Sequence, residues 1–171
     1  LIARGEDRGL GHITQEVHRN LHPDRTLLLD LGELARGFRS HPERLPDAMR
    51  LCWDGQPFDT KTERMIRGWL DGLDVVFSAE TFYDWRIVDW AREAGVRTVL
   101  MTMPEFWRCG QDGVPMPDVI WAPTTWRVDH LPEATRVVPV PVALDRLRPR
   151  CEQRNGALRV LHVAGHRAAA D

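Results

Sequence analysis

The chain has 171 residues, of which 43% are hydrophobic and 28% are charged, and its formal net charge is -2. This length and apolar content suffice for the core of one domain, and the charge excludes the basic surface that attracts nucleic acid or anionic lipid. The three cysteines (Cys52, Cys109 and Cys151) are odd in number and far apart, so neither a disulfide framework nor a CxxC metal or redox motif is available. We therefore expect a cytoplasmic location. No apolar run is long enough to form a transmembrane segment.

Apolar runs that alternate with amphipathic segments indicate the fold class. The runs that predict strands are residues 1–3, 26–31, 49–53, 74–78, 96–101, 118–121 and 136–142. The segments that predict helices are residues 13–21, 60–73 and 84–94. Such alternation is typical of an α/β fold with a doubly wound parallel sheet and right-handed crossovers, which binds ligands at the carboxyl ends of its strands.

The two ends of the sequence predict an incomplete protein. The first residue is Leu1 instead of Met, and a further apolar run, residues 158–164, stops close to the last residue. We interpret residues 1–142 as an N-terminal domain and residues 143–156, which follow two prolines and are rich in Arg, as an interdomain linker. Residues 157–171 would then form the first strand of a truncated second domain.

A glycine-containing segment, Gly9-Leu10-Gly11, follows the first predicted strand and precedes a helix that we expect to begin near His12. Glycine lets the backbone approach a ligand closely, and the positive end of a helix favours an anion, so the segment predicts a place for a phosphate or a sugar. The alternative is a simple tight turn. A neutral His12 at the cleft mouth could accept a proton from a hydroxyl group; the alternative is a helix cap or a solvated side chain.

Polar residues follow three of the predicted strands. Glu80 and Thr81 come after residues 74–78, Glu105 after residues 96–101, and Thr124 after residues 118–121. Because the carboxyl ends of parallel strands meet at one edge, Glu80 and Glu105 are expected to lie near Gly9 to His12, where a carboxylate could bind hydroxyls or act as a base. The alternatives are that Glu80-Thr81 and Thr124 cap the structure that follows them. No cluster of His, Cys and Asp has the spacing of metal ligands.

The order of these features resembles the N-terminal half of a GT-B glycosyltransferase, of the large family-4-like group of nucleotide-sugar transferases. The segment Gly9-Leu10-Gly11 matches a Gly-rich turn after the first strand, and Gly9 to Ile13 is similar to a Gly-x-Gly-His-Ile run of some inverting enzymes. Residues 139–149 resemble the segment P-x-P/N-x-x-x-D-x-x-x-x-P that closes the first domain, and an apolar strand ending at Gly165 resembles the start of the second. The departures are Val142-Ala143, where the family often has Asn-Gly-Val, and His166, where it often has Arg.

The resemblance implies a Rossmann-like, acceptor-side domain of an enzyme that moves a sugar from a nucleotide-sugar donor to an acceptor hydroxyl. His12 and Glu80 are then rival catalytic residues. The implied substrate-binding residues are Gly9, Leu10, Gly11, Thr81, Glu105 and Thr124. No metal or other cofactor is expected, because such enzymes use helix dipoles and basic side chains instead, and a fragment is expected to be inactive alone. The alternative function is a non-catalytic, flavodoxin-like domain that binds a small phosphorylated ligand.

Overall fold

The computed structural model describes residues 1–5, 9–30, 45–103, 107 and 113–140. The strands in this part of the chain are β1 (Ile2–Arg4), β2 (Leu27–Asp30), β3 (Met49–Cys52), β4 (Val75–Glu80), β5 (Arg97–Thr102), β6 (Val119–Ala122) and β7 (Arg136–Val137). The helices are α1 (Gly9–Leu21), α2 (Thr60–Leu70) and α3 (Arg86–Glu93), with a 3-10 turn at Val128–His130. The seven strands form one parallel sheet in the order β3-β2-β1-β4-β5-β6-β7. The predicted doubly wound α/β sheet is confirmed.

The strand order reverses between β1 and β4. From β1 the chain adds β2 and β3 on one side, and it then returns past both to add β4 to β7 on the other side. Because crossovers between parallel strands are right-handed, this reversal places the helices on opposite faces. Val17 of α1 accordingly packs with Ala3 and Met101, whereas α2 and α3 pack on the face of Ile2 and Leu27. A flavodoxin-like sheet has the order 2-1-3-4-5, so the flavodoxin-like topology of the alternative hypothesis is wrong.

The apolar character of the central strands explains their burial. Leu27, Leu28 and Leu29 of β2 are each at most 1% exposed, as a strand covered on both faces requires. Ala3 of β1, together with the preceding Leu1, packs on one face of the sheet, and Ile2 packs on the other, so the two apolar clusters lie on either side of the same short strand.

Several predicted boundaries differ from the structure for local reasons. Helix α1 begins at Gly9 and not near His12, so the two glycines lie in its first turn and not in a loop before it. The four-residue spacing of Ile13, Val17 and Leu21 predicts that all three lie on one buried face, but Leu21 is 53% exposed. Helix α2 ends at Leu70, because Gly72 adopts a positive φ of 74° that only glycine tolerates readily.

The end of the described chain differs most from expectation. Within residues 136–140, the described part of the predicted strand 136–142, only Arg136 and Val137 form β7, and a proline at position 139 cannot donate to a strand ladder. The predicted linker, residues 143–156, and the predicted second domain, residues 157–171, lie outside the described residues.

Candidate functional site

An ion pair joins the last residues of the two strands at the point of reversal. Arg4 ends β1 and Glu80 ends β4, and their Nη1 and Oε2 atoms are 3.7 Å apart. The two side chains are only 10% and 6% exposed. A charge that is buried to this degree is stable only when it is paired. In doubly wound sheets the crevice at the point of reversal is the usual place for a ligand.

The loop after β4 holds Glu80 in an uncommon backbone conformation. Glu80 has φ of 79° and Tyr83 has φ of 64°, a left-handed region that costs a residue with a side chain roughly 1–2 kcal/mol. The Tyr83 hydroxyl donates to Glu80 Oε2 at 3.3 Å, and Ser78 Oγ donates to the Thr81 carbonyl oxygen at 2.6 Å. Such strain is found preferentially at ligand-binding and catalytic sites.

Further polar and aromatic groups lie along the same edge of the sheet. Thr102, at the end of β5, is paired in register with Glu80 and is fully buried. Trp53, which follows β3, contacts the Tyr83 ring edge to face with the centroids 5.3 Å apart. Asp30 of β2 and Arg50 of β3 form a second ion pair of 3.6 Å. The edge therefore combines two carboxylate–guanidinium pairs with an aromatic contact that belongs to the apolar core on the face of α2 and α3.

The first turn of α1 lies at this edge as well. Helix α1 starts at Gly9, a few residues after Arg4, and β1 runs parallel to β4. The segment from Gly9 to His12 therefore comes to the same edge as Glu80, as expected from the sequence. The first N–H groups of a helix lack partners within the helix and carry its positive dipole end. Gly11 is buried and His12 is exposed.

The remaining candidate residues divide into three cases. Thr81 follows Glu80 directly, and its Oγ1 accepts the Tyr83 N–H at 3.3 Å, so it shapes the strained loop. Thr124 is exposed in the loop after β6, where its Oγ1 accepts the Trp126 N–H at 3.2 Å, as the capping alternative expects. Glu105 lies outside the described residues, and its position at the edge stays a prediction.

Asp84, for which the sequence predicts no role, holds the segment after β4 in place by hydrogen bonds to Phe58 and Arg86. Its Oδ2 accepts the Phe58 N–H at 2.8 Å, and its Oδ1 accepts the Arg86 N–H at 3.0 Å. The N-cap residue of α3 is Trp85, which makes no side-chain capping hydrogen bond, so the alternative that Glu80-Thr81 caps this helix is wrong. Burial of Asp84 opposes its ionisation, but hydrogen bonds from the Arg86 side chain and from the Phe58 N–H hold the pKa of this carboxyl below its usual range.

Arg4 and Tyr83 are the other residues that sequence reasoning missed. The signal for Arg4 was a charged residue ending an apolar strand, immediately before the glycine-containing segment. Tyr83 carried no such signal, because a positive φ at a tyrosine follows from the packing around it.

Neither a metal-binding cluster nor a membrane-spanning helix is found among the described residues. Within the described residues, no group of three or more His, Cys, Asp or Glu side chains could hold a metal ion. No helix there combines the length and the apolar character that crossing a membrane requires.

Comparison of the chain with protein-family models, with curated proteins and with solved structures found no match. The argument for a function therefore depends on the residues of the site.

Proposed function

We propose that this chain is the acceptor-binding part of a glycosyltransferase, which moves a sugar from a nucleotide-sugar donor to an acceptor hydroxyl. The observation that carries the proposal is the buried Arg4–Glu80 pair at the reversal of the sheet. The doubly wound parallel sheet is the architecture that the resemblance to GT-B enzymes implies for their N-terminal half.

The charge balance of the pair favours a neutral acceptor. A carboxylate accepts hydrogen bonds from sugar hydroxyls and a guanidinium donates to them, while the two charges cancel. A phosphorylated ligand would instead require unbalanced positive charge. Tyr83 fits this role because its hydroxyl already contacts Glu80. Its ring is held in place by an edge-to-face contact with the Trp53 ring.

The first turn of α1 supplies the second half of the proposed reaction. Its N–H groups, from Gly9 to Gly11, would stabilise the departing diphosphate or the sugar next to it, a task for which other transferases use a metal ion. His12 is exposed in the same turn and would accept the proton of the acceptor hydroxyl if the enzyme inverts configuration. Glu80, which Arg4 and Tyr83 already engage, would hold the acceptor.

Acceptor binding can be tested on the chain itself by amide NMR. Titration with a panel of neutral mono- and disaccharides should give saturable shifts at Tyr83 and Thr102, and Glu80→Gln should weaken binding at least about tenfold, since it removes a charged hydrogen-bond partner. The control is Asp89→Asn, which removes a carboxylate on α3 that pairs with Arg92. Shifts produced at Gly11 by inorganic phosphate, with none from any sugar, would replace this proposal by the phosphorylated-ligand alternative.

A further inference from the structure

Strands β4, β5 and β6 are fully buried on only one face of the sheet. Val76, Leu100 and Ile120, which face α2 and α3, are at most 7% exposed. Val75 and Val119 belong to the opposite set of alternating side chains and are 50% and 41% exposed. Parallel sheets are almost always covered on both faces, so the α1 side of these strands lacks a complete cover within the described residues.

The incompletely covered surface is mainly apolar. Phe77 and Trp121 lie on it together with Val75 and Val119, and both aromatic residues are only half-buried. Their rings contact each other edge to face with the centroids 5.3 Å apart, and both pack against the apolar cluster beside α1. The charged Arg97 lies at the border, in register with Val75. We call the surface of Val75, Phe77, Val119 and Trp121 the open face; an exposed apolar patch of this kind indicates a surface that another segment covers.

The connections between the strands do not account for this cover. From β4 to β7 each new strand is added on the same side of its predecessor. Right-handed crossovers carry such connections over the face of α2 and α3. Helix α1 packs near β1, through Val17 and Ala3. The cover of the open face must therefore come from a segment beyond these strands or from another molecule.

The chain turns onto the open face directly after β7. Val138 follows the last residue of this strand, and its carbonyl oxygen accepts a hydrogen bond from the Trp121 indole Nε1 at 2.7 Å. Val140, where the described part of the chain ends, packs against the same apolar cluster as Phe77 and Trp121. The residues that follow Val140 therefore start at the open face.

Residues 141–147 suit this surface in composition and in length. Four of the seven are aliphatic, namely Val142, Ala143, Leu144 and Leu147. The distance from β7 across to β4 is three strand spacings, about 14 Å. Seven residues in an extended conformation span at most about 25 Å, so the segment is long enough to reach Val75.

We propose that residues 141–147 bind across the open face and cover it. The segment then belongs to the same domain as the sheet, and the interdomain linker that the sequence predicts over residues 143–156 begins only after Leu147. The proposal is independent of sugar transfer, because it concerns a face of the sheet and not the edge that carries Glu80.

Methyl NOE spectroscopy of the full chain tests the contact directly. The methyl groups of Leu144 and Leu147 should give NOEs to those of Val75 and Val119. A sample that mixes labelled and unlabelled protein separates contacts within one chain from contacts between copies. Absence of these NOEs overturns the proposal. NOEs found only between copies overturn it as well, since the open face would then be the interface of a dimer.

Limited trypsin digestion gives a second readout. Val119→Asp puts a charge beneath the bound segment and should speed cleavage after Arg146 at least about fivefold, because it raises the population of the detached segment. Val137→Asp is the matched control, since Val137 is 40% exposed on the adjacent strand β7 and faces the other side of the sheet. Cleavage after Arg154, beyond the proposed segment, should change in neither variant. Equal cleavage rates after Arg146 in the two variants contradict the proposal.

Discussion

Arg4 and Glu80 are the terminal residues of two adjacent strands that are distant in the chain, and their side chains meet at 3.7 Å at the carboxyl edge of the sheet. The pair fixes the relative position of β1 and β4 at the point where the strand order reverses. It also places one negative and one positive group where a ligand would be recognised. If these residues bind the proposed acceptor, substitutions there should change both stability and binding.

Glu80→Gln should lower the free energy of unfolding by about 1–3 kcal/mol, because it removes the negative charge that faces the largely buried Arg4 guanidinium. Urea unfolding of the two single variants, Glu80→Gln and Arg4→Met, and of the double variant would measure the coupling. We expect an interaction energy of about 1–3 kcal/mol. Strictly additive losses would show that the two side chains do not interact.

Two glycine-to-alanine substitutions should change stability in opposite directions. Gly95, after α3, has φ of 73°, and Gly68 lies inside α2; an added Cβ would meet no atom within 4 Å at either site. Gly95→Ala should therefore cost about 1 kcal/mol through backbone strain alone, while Gly68→Ala should stabilise by about 0.5–1 kcal/mol. Thermal unfolding of both variants checks the prediction, and a stabilising Gly95→Ala would be incompatible with the left-handed φ.

The carboxyl of Asp84 should give the protein a stability that acid removes. Its pKa is lower in the folded state than its ordinary value of 3.8, so its contribution is fully present above that value and is lost as the pH falls through the folded pKa. Asp84→Asn should cost about 2 kcal/mol at pH 6, from the hydrogen bonds that the charged group accepts. The difference from the unsubstituted protein should shrink toward pH 2.

Urea unfolding between pH 2 and 6 measures this difference. Asp118 provides an internal reference, because hydrogen bonds from Thr98 lower the pKa of that carboxyl too, and its acid dependence should persist in the Asp84→Asn variant. A difference that stays constant with pH would mean that Asp84 stabilises the fold through its shape and not through its charge.

The proposed roles of His12 and Glu80 predict different kinetic effects. If the proposed function is right and the reaction inverts configuration, His12→Ala should lower turnover at saturating donor by about 10² to 10⁴. Glu80→Gln should chiefly raise the acceptor KM, as the loss of a binding contact does. Circular dichroism of both variants controls for folding. Wild-type kinetics in both variants would mean that His12 and Glu80 have only structural roles, in α1 and in the loop after β4.

Much of the fold could be predicted from the sequence because its signals are local. The run from Thr26 to Leu31 predicted a strand buried on both faces, and the structure has β2 there with three leucines at most 1% exposed. The helical spacing of Met65, Ile66, Trp69, Leu70 and Leu73 predicted the buried face of α2. The structure buries Ile66, Trp69 and Leu70, but Met65 is 42% exposed and Leu73 lies beyond the end of the helix. The order of the strands was not predicted, since it depends on contacts between segments far apart in the chain.

The candidate site was predicted in outline only. The position of Glu80 after an apolar strand was enough to place it at the crevice, because parallel strands end at a common edge. The partners of Glu80 were missed, since Arg4 approaches it across the sheet and Tyr83 reaches it through a left-handed turn. For Asp84, the contact with the Phe58 N–H was missed because Phe58 lies far from it in the chain and precedes a different helix.

The position of β1 has a consequence for how the protein folds. This strand is the first along the chain, yet its neighbour β4 follows only after α1, β2, β3 and α2, and the two strands share one register pair, Ile2 with Ser78. Closing so long a loop costs entropy before any contact forms, which slows folding, whereas β4 and β5 are joined by α3 alone. Pulse-labelled amide exchange during refolding should therefore show Leu100 protected before Ile2, with the last step being the joining of two preformed halves of the sheet.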